Sequence, residues 1–213
     1  MSNHPWLTLV KKHRAIAVIR ASKLELGRQM ALAMASGGIQ FIEIAWNSAN
    51  ACELISKMRS ELPDSIIGTG TLLNLEHVSQ AISAGAQFMF TPHVDPMMIQ
   101  AAVAENVPII PGALSPTEIV TAWNHGATCV KVFPVQAVGG ASYIKSLQGP
   151  LGHIPLIPTG GVTIKNAQEF LEAGAIAVGL SSELFPQQFV KTENWQAISQ
   201  QAKTLVNTCL IRD

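Results

Sequence analysis

Lys131 sits in the run Ala127-Thr128-Cys129-Val130-Lys131-Val132-Phe133-Pro134, with apolar residues on both sides. An amine in such a run is either a costly desolvated ammonium or a useful neutral base. Burial lowers a lysine pKa, and a neutral lysine near pH 7 attacks carbonyl carbon, which is the chemistry of a Schiff-base enzyme. A lone carboxylate interrupts a second apolar run, Gln40-Phe41-Ile42-Glu43-Ile44-Ala45. Strand alternation puts Cys129, Lys131 and Phe133 on one face, and Phe41 with Glu43 on one face. If the Val and Ile sets face helices, the amine and the carboxylate share one interior as nucleophile and proton shuttle. A structural buried ion pair is the other reading.

Further polar groups end other apolar runs. Ile157-Pro158-Thr159-Gly160-Gly161-Val162 and Val178-Gly179-Leu180-Ser181-Ser182 offer backbone amides and serine hydroxyls of the kind that hold phosphate after the last two strands of a barrel. Paired glycines also make ordinary turns. Gly68-Thr69-Gly70-Thr71 is either a cradle for a small carboxylate or a Gly-rich turn capped by Thr71 and Asn74. Arg20 closes Ala17-Val18-Ile19-Arg20 and either forks onto a carboxylate or phosphate or makes a structural salt bridge. Thr69, Thr91, His93 and Thr159 complete the polar set at the strand ends. His4, His13, His77, His125 and His153 lack metal-ligand spacing and read as surface groups.

The elements that must position these groups recur with a beat of roughly 20–25 residues, the period of a compact (β/α)₈ barrel. Strands are expected over 15–20, 40–45, 66–70, 87–91, 107–111, 128–133, 156–159 and 175–179. Helices are expected over 24–36, 51–61, 75–84, 95–105, 116–124, 141–147 and 165–173, with terminal helices near 5–13 and 194–206. Asn74, Asp95 and Ser115 suit N-caps, and Gly37, Gly85, Gly126 and Gly174 suit helix ends. The expected fold is therefore an α/β TIM barrel, a single domain over 1–213 with an extra N-terminal helix. An open doubly wound sheet is the runner-up, weakened by the lack of Gly-x-Gly-x-x-Gly after the first strand.

Composition narrows the partners. The 213 residues are 48% hydrophobic and only 13% charged, with 14 basic and 14 acidic side chains, which argues against disorder and against nucleic-acid binding. No apolar run is long enough for a bilayer, and Met1-Ser2-Asn3-His4-Pro5-Trp6 does not open a signal peptide. Cys52, Cys129 and Cys209 are scattered, which suits a reducing cytoplasm rather than a disulfide or zinc framework. The low charge fits a subunit that hides surface in an oligomer.

Taken together, Ile42-Glu43-Ile44, Gly68-Thr69-Gly70-Thr71-Leu72, Thr91-Pro92-His93, Pro111-Gly112, Val130-Lys131-Val132-Phe133-Pro134, Pro158-Thr159-Gly160-Gly161-Val162 and Gly179-Leu180-Ser181-Ser182 resemble the class I 2-keto-3-deoxy-6-phosphogluconate (KDPG) aldolases, which also act as 4-hydroxy-2-oxoglutarate (KHG) aldolases. The resemblance spans nearly the whole chain. It implies Lys131 as the Schiff-base lysine and Glu43 as the general acid/base acting through water. It implies Thr71 and nearby amides at the pyruvate carboxylate, Phe133 and Pro92 as apolar walls, and Gly160, Gly161 and Ser182 at the phosphate end. It further implies a homotrimer without metal or organic cofactor, acting on a small-molecule 2-keto acid. The reactions implied are KDPG to pyruvate and glyceraldehyde 3-phosphate, and 4-hydroxy-2-oxoglutarate to pyruvate and glyoxylate. Two positions depart from the pattern. Asn47 stands where many members carry a carboxylate-binding arginine, a loss of about 1.5–3 kcal/mol that Arg20 would offset. Gln136 stands where many have glutamate. The rival readings are a metal-free phosphosugar epimerase or isomerase barrel and a non-catalytic phosphate-ligand-binding barrel.

Overall fold

The computed structural model describes residues 4–209; the N-terminal Met1-Ser2-Asn3 and residues 210–213 lie outside the described residues. In chain order the elements are α1 (Pro5–His13), β1 (Ala15–Ile19), α2 (Leu24–Ser36), β2 (Phe41–Ala45), α3 (Ala51–Glu61), β3 (Ile66–Gly70), α4 (Leu75–Ser83) and β4 (Met89–Phe90). Next come α5 (Pro96–Ala104), β5 (Ile109–Ile110), β6 (Gly112–Ala113), α6 (Pro116–Asn124), β7 (Val130–Val132) and a 3₁₀ turn (Val135–Val138). The chain continues through α7 (Ala141–Leu151), β8 (Leu156–Pro158), α8 (Ala167–Glu172), β9 (Val178–Leu180), a second 3₁₀ turn (Ser182–Leu184), α9 (Gln187–Lys191) and α10 (Trp195–Cys209).

Cap chemistry sets many of these bounds. Asn74 accepts the His77 amide, Asp95 accepts those of Met97 and Met98, and Ser115 forms a capping box with Glu118. Gly85, Gly126 and Gly174 take φ of 85°, 97° and 103°, the left-handed turn that ends a helix without a Cβ clash. Gly37 caps the C-terminus of α2 as expected, but at φ −83° rather than in the left-handed turn. The left-handed residue is its neighbour Gly38, at φ 90°. Gly37 is required for packing instead, because a Cβ on it would overlap Ala202 of α10. The helix α7 runs past the expected stop through Gly149-Pro150, drawn on by the buried Leu151. The five-residue α9 is too short to leave a periodic signal.

All strand pairs are parallel. One sheet has the order β5-β4-β3-β2-β1-β9 and the other β6-β7-β8. The first sheet keeps chain order from β1 to β5, without the reversal of a doubly wound order. Of the expected fifth strand, 107–111, only β5 forms; β6 follows just past Pro111, and the chain changes sheet there. Backbone bonds also cross between the sheets. The Thr128 N–H donates to Ile109 O at 3.0 Å and the Ile176 N–H to Leu156 O at 3.0 Å, while Thr159 pairs with Gly179.

Alternate strand residues sort into two cores. Ile42, Ile44, Ile67, Val130, Val132 and Leu156 join the helices in the larger one. Ile16, Phe41, Phe88, Phe90, Ile110, Cys129 and Ile157 form the second, together with Trp6, Leu7 and Val10 of α1. Phe41, Phe88 and Cys129 stand at or just before the starts of their strands, so α1 seals the N-terminal end. Trp6 meets Phe41 edge-on at 5.6 Å. The opposite, C-terminal end is left to polar residues.

Candidate active site

Lys131 is the middle residue of β7, turned to the same side as Cys129 and away from Val130 and Val132. It is 7% exposed. Its Nζ lies 4.6 Å from the centroid of the Phe133 ring and 5.6 Å from that of Phe90. Burial pushes the amine below its ordinary pKa; Glu43 opposes the shift and the Arg20 charge adds to it. Glu43 is the middle residue of β2, 2% exposed. Burial pushes its carboxyl above the usual range, with Lys131 and Arg20 pulling it partly back. Among the described residues, neither group forms a hydrogen bond or direct ion pair with another protein group, yet each feels the other's charge. The structural ion pair held open by the sequence is therefore not formed. Both border the same space at the strand ends.

That space is a cavity of about 270 Å³ at the C-terminal ends of the strands. Lys131, Glu43, Arg20, Thr71, Pro92 and Phe133 line it, and Gly160, Gly161, Ser181 and Ser182 line it as well. The structure thus brings these ten residues, singled out by the sequence, to one cavity. Val18, Val162 and Gly179 also line it, without having been singled out. Alternation could have found Val18, two positions from Arg20 and on the face of Ile16. Thr159, expected among the strand-end polar groups, is present too.

Three other members of that polar set are not part of the cavity wall. Thr69 Oγ1 donates to Ile44 O at 2.6 Å and ties β3 to β2. Thr91 Oγ1 donates to the His93 carbonyl at 2.5 Å. His93 itself is exposed. A buried hydroxyl finds a backbone acceptor wherever one is near, and strand spacing does not reveal which threonine will do so.

The β3 end is built tightly around Glu43. A Cβ on Gly70 would overlap Glu43 Oε1, so the glycine leaves room for the carboxylate. Gly70→Ala is expected to displace that carboxylate. A shift on the order of 1 Å in a reacting group costs about 10²-fold in rate, so kcat should fall by that order. Steady-state kinetics would check it; unchanged kcat would show that the Glu43 position does not matter. Thr71 follows at φ 65°, a left-handed conformation that costs a β-branched residue about 1–3 kcal/mol. The loop is held there by Trp46 N–H to Gly70 O at 2.7 Å and by Leu73 N–H to His77 Nδ1 at 3.3 Å. The His77 ring also stacks near Trp46, with centroids 5.4 Å apart. His77 is a part-exposed group, as expected, that also braces this loop, a role no sequence spacing signals.

On the opposite side, Gly160 and Gly161 adopt φ of 83° and 96°. Any Cβ on Gly161 would overlap Gln136, and one on Gly160 would come within 3.1 Å of Phe133 and Pro134. Chain packing therefore demands both glycines, whatever ligand their amides meet. The loop is pinned by Val135 N–H to Thr159 O at 3.0 Å and Gln136 N–H to Gly160 O at 3.1 Å. The hydroxyls of Ser181 and Ser182 have no protein partner among the described residues, and both line the cavity. Arg20 stands at the mouth, where its Nε donates to Asn47 Oδ1 at 3.1 Å. No group of three or more metal-ligating side chains occurs among the described residues.

Comparisons with known proteins converge on one family. A family model described as "Aldolase: KDPG and KHG aldolase" matches residues 7–201. The chain is 32% identical over 200 residues to the 2-dehydro-3-deoxy-phosphogluconate aldolase of Treponema pallidum (strain Nichols), covering 92% of this chain and 95% of that protein. It is 29% identical over 191 residues to the KHG/KDPG aldolase of Escherichia coli (strain K12), covering 90% of each. The fold matches the crystal structure of KDPG aldolase from Legionella pneumophila, with pyruvate captured as a covalent carbinolamine intermediate, at a TM-score of 0.86. That match covers 93% of this chain and 97% of the other at 28% identity.

Proposed function

Since the chain belongs to the KDPG and KHG aldolase family, we propose that it is a class I aldolase, a carbon–carbon lyase in which Lys131 carries the substrate and Glu43 moves the protons. The observation that carries this reading is the buried amine and the buried carboxylate, unpaired and facing one cavity. The substrates are KDPG, cleaved to pyruvate and glyceraldehyde 3-phosphate, and 4-hydroxy-2-oxoglutarate, cleaved to pyruvate and glyoxylate.

The neutral Lys131 amine attacks the C2 ketone, and the carbinolamine loses water to give a protonated imine. Glu43, directly or through a water, takes the proton from the C4 hydroxyl. The C3–C4 electron pair then flows into the imine, leaving an enamine and a free aldehyde. Glu43 returns the proton to C3, and hydrolysis of the new imine frees pyruvate and the amine. The raised carboxyl pKa suits a group that must both accept and donate near neutral pH. Phe133 and Pro92 wall the imine against water. Thr71 and Arg20 hold the carboxylate end, while Gly160, Gly161, Ser181 and Ser182 hold the far end, where a phosphate fits.

Borohydride with pyruvate should add the mass of a reduced pyruvate adduct at Lys131. Labelling of another lysine, or of none, would overturn the reading. Insensitivity to borohydride with turnover of a pentose phosphate would favour an epimerase, and tight phosphate binding without turnover a binding protein.

The fold proposed is one closed (β/α)₈ barrel forming a single domain, supported by the backbone bonds that join the two sheets and by β5 and β6 acting as one strand broken at Pro111. The assembly proposed is a homotrimer. Leu73, Leu75 and Met97 are exposed apolar residues that a second copy would cover, and sedimentation would test it. The compartment proposed is the cytoplasm, where the free Cys52, Cys129 and Cys209 would stay reduced. Among the described residues, no helix is long and apolar enough to cross a membrane.

A further inference from the structure

Two arginines of this chain are held in opposite ways. Arg28 is neutralised, its Nε donating to both oxygens of Glu61 at 3.0 and 2.7 Å and its Nη1 to Glu25 at 3.0 Å. That is the pattern of an arginine whose charge serves the fold. Arg20 instead donates Nε to the carboxamide oxygen of Asn47 at 3.1 Å. A carboxamide orients a guanidinium without cancelling its charge, and it leaves the two terminal nitrogens unspent. The loops that carry the pair are fixed to each other. The Ala21 N–H donates to Ser48 Oγ at 3.2 Å and the Ala49 N–H to Ala21 O at 2.9 Å. The backbone that carries Asn47 is therefore held beside the one that carries Arg20.

We propose that Asn47 is a positioning residue that aims an uncancelled Arg20 fork at the carboxylate of the 2-keto acid, and so determines affinity for that group. The inference rests on the aldolase reading above. Several observations favour the carboxylate over the phosphate as the group read. Arg20 is the one guanidinium on the cavity wall among the described residues. Its charge reaches both Glu43 and Lys131, as it must if it serves the carbon next to the imine. The Gly160–Gly161 and Ser181–Ser182 side supplies amides and hydroxyls for the far end without it. A planar fork matches a planar carboxylate through two parallel bonds.

The test uses pyruvate, which has the carboxylate and no phosphate, and reads the concentration that half-saturates borohydride trapping. Arg20→Gln should raise that concentration by about 10–100-fold, the span of a lost charge-assisted pair. Asn47→Ala should raise it several-fold by freeing the fork. Asn47→Asp keeps an acceptor in place but cancels the charge, so it should raise half-saturation about tenfold while the thermal midpoint stays level. A purely structural Asn47 would leave Asn47→Asp silent. In an Arg20→Gln background the Asn47→Asp effect should vanish, because the two act as one unit. Trapping by pyruvate that is indifferent to both Asn47 variants would overturn this inference and leave the aldolase reading intact. An Arg20→Gln effect confined to phosphorylated substrates would likewise overturn it. A wild-type chain that never traps pyruvate would overturn both.

Discussion

Lys131→Met should abolish reductive trapping by pyruvate and lower kcat/KM for KDPG cleavage by roughly 10⁴–10⁶-fold, the scale on which covalent machinery is lost when one member is removed. Methionine keeps most of the length and volume of the side chain beside Phe90 and Phe133, so the fold should survive. Stability separates this loss from misfolding, and its sign follows from the direction of the shift. The folded amine is held below its ordinary value of 10.5 by burial. Below the folded pKa both states bind the proton, and burying the charge costs stability in full. Between the folded pKa and 10.5 only the unfolded chain is charged, and the cost shrinks as pH rises. Above both values it is gone. Lys131→Met should therefore match or exceed the wild type in thermal midpoint near neutral pH, and lose that advantage toward alkaline pH. Retained cleavage activity in the methionine variant would end the case for a covalent lysine.

Glu43→Gln should keep the imine and lose the turnover. A positioned acid/base group contributes about 10²–10⁴-fold, so kcat should fall by that range while borohydride still labels Lys131. The pH dependence adds a second readout. The Glu43 charge favours the protonated amine, so removing it should let the Lys131 pKa fall further. The acid limb of pyruvate trapping should then shift to lower pH in Glu43→Gln. A limb that stays put would mean that the two groups are not electrostatically linked. Trapping lost altogether would move Glu43 from proton transfer to an earlier role in imine formation.

The strands that carry chemistry were readable because their signal is short-range. A lysine or a glutamate inside an apolar run stands out from its neighbours, and the faces of Lys131 and Glu43 follow from a period of two. Helix starts at Asn74, Asp95 and Ser115 were legible for the same reason, since a cap is a local hydrogen bond. Contacts between loops were not legible. Gly70 reads as a turn residue, but what fixes it is the Glu43 carboxylate from the neighbouring strand. Gly160 and Gly161 read as a phosphate loop, and they also answer to packing against Phe133, Pro134 and Gln136. The commitment of Thr69 and Thr91 to backbone carbonyls depends on which acceptor the register brings near. Asn47 reads as a missing arginine and gains meaning only beside Arg20.

The aromatic cluster that Trp6 seals lies at one end of the strands, and the groups that would touch substrate lie at the other. The two ends can therefore diverge at different rates. Substitutions around Arg20, Asn47 or Ser182 can retune which sugar acid is accepted while leaving melting behaviour nearly fixed. Changes at Trp6 or Phe88 would tax folding yield and spare selectivity. A lineage of such proteins can try new substrates at the mouth while its floor goes on supplying the stability margin.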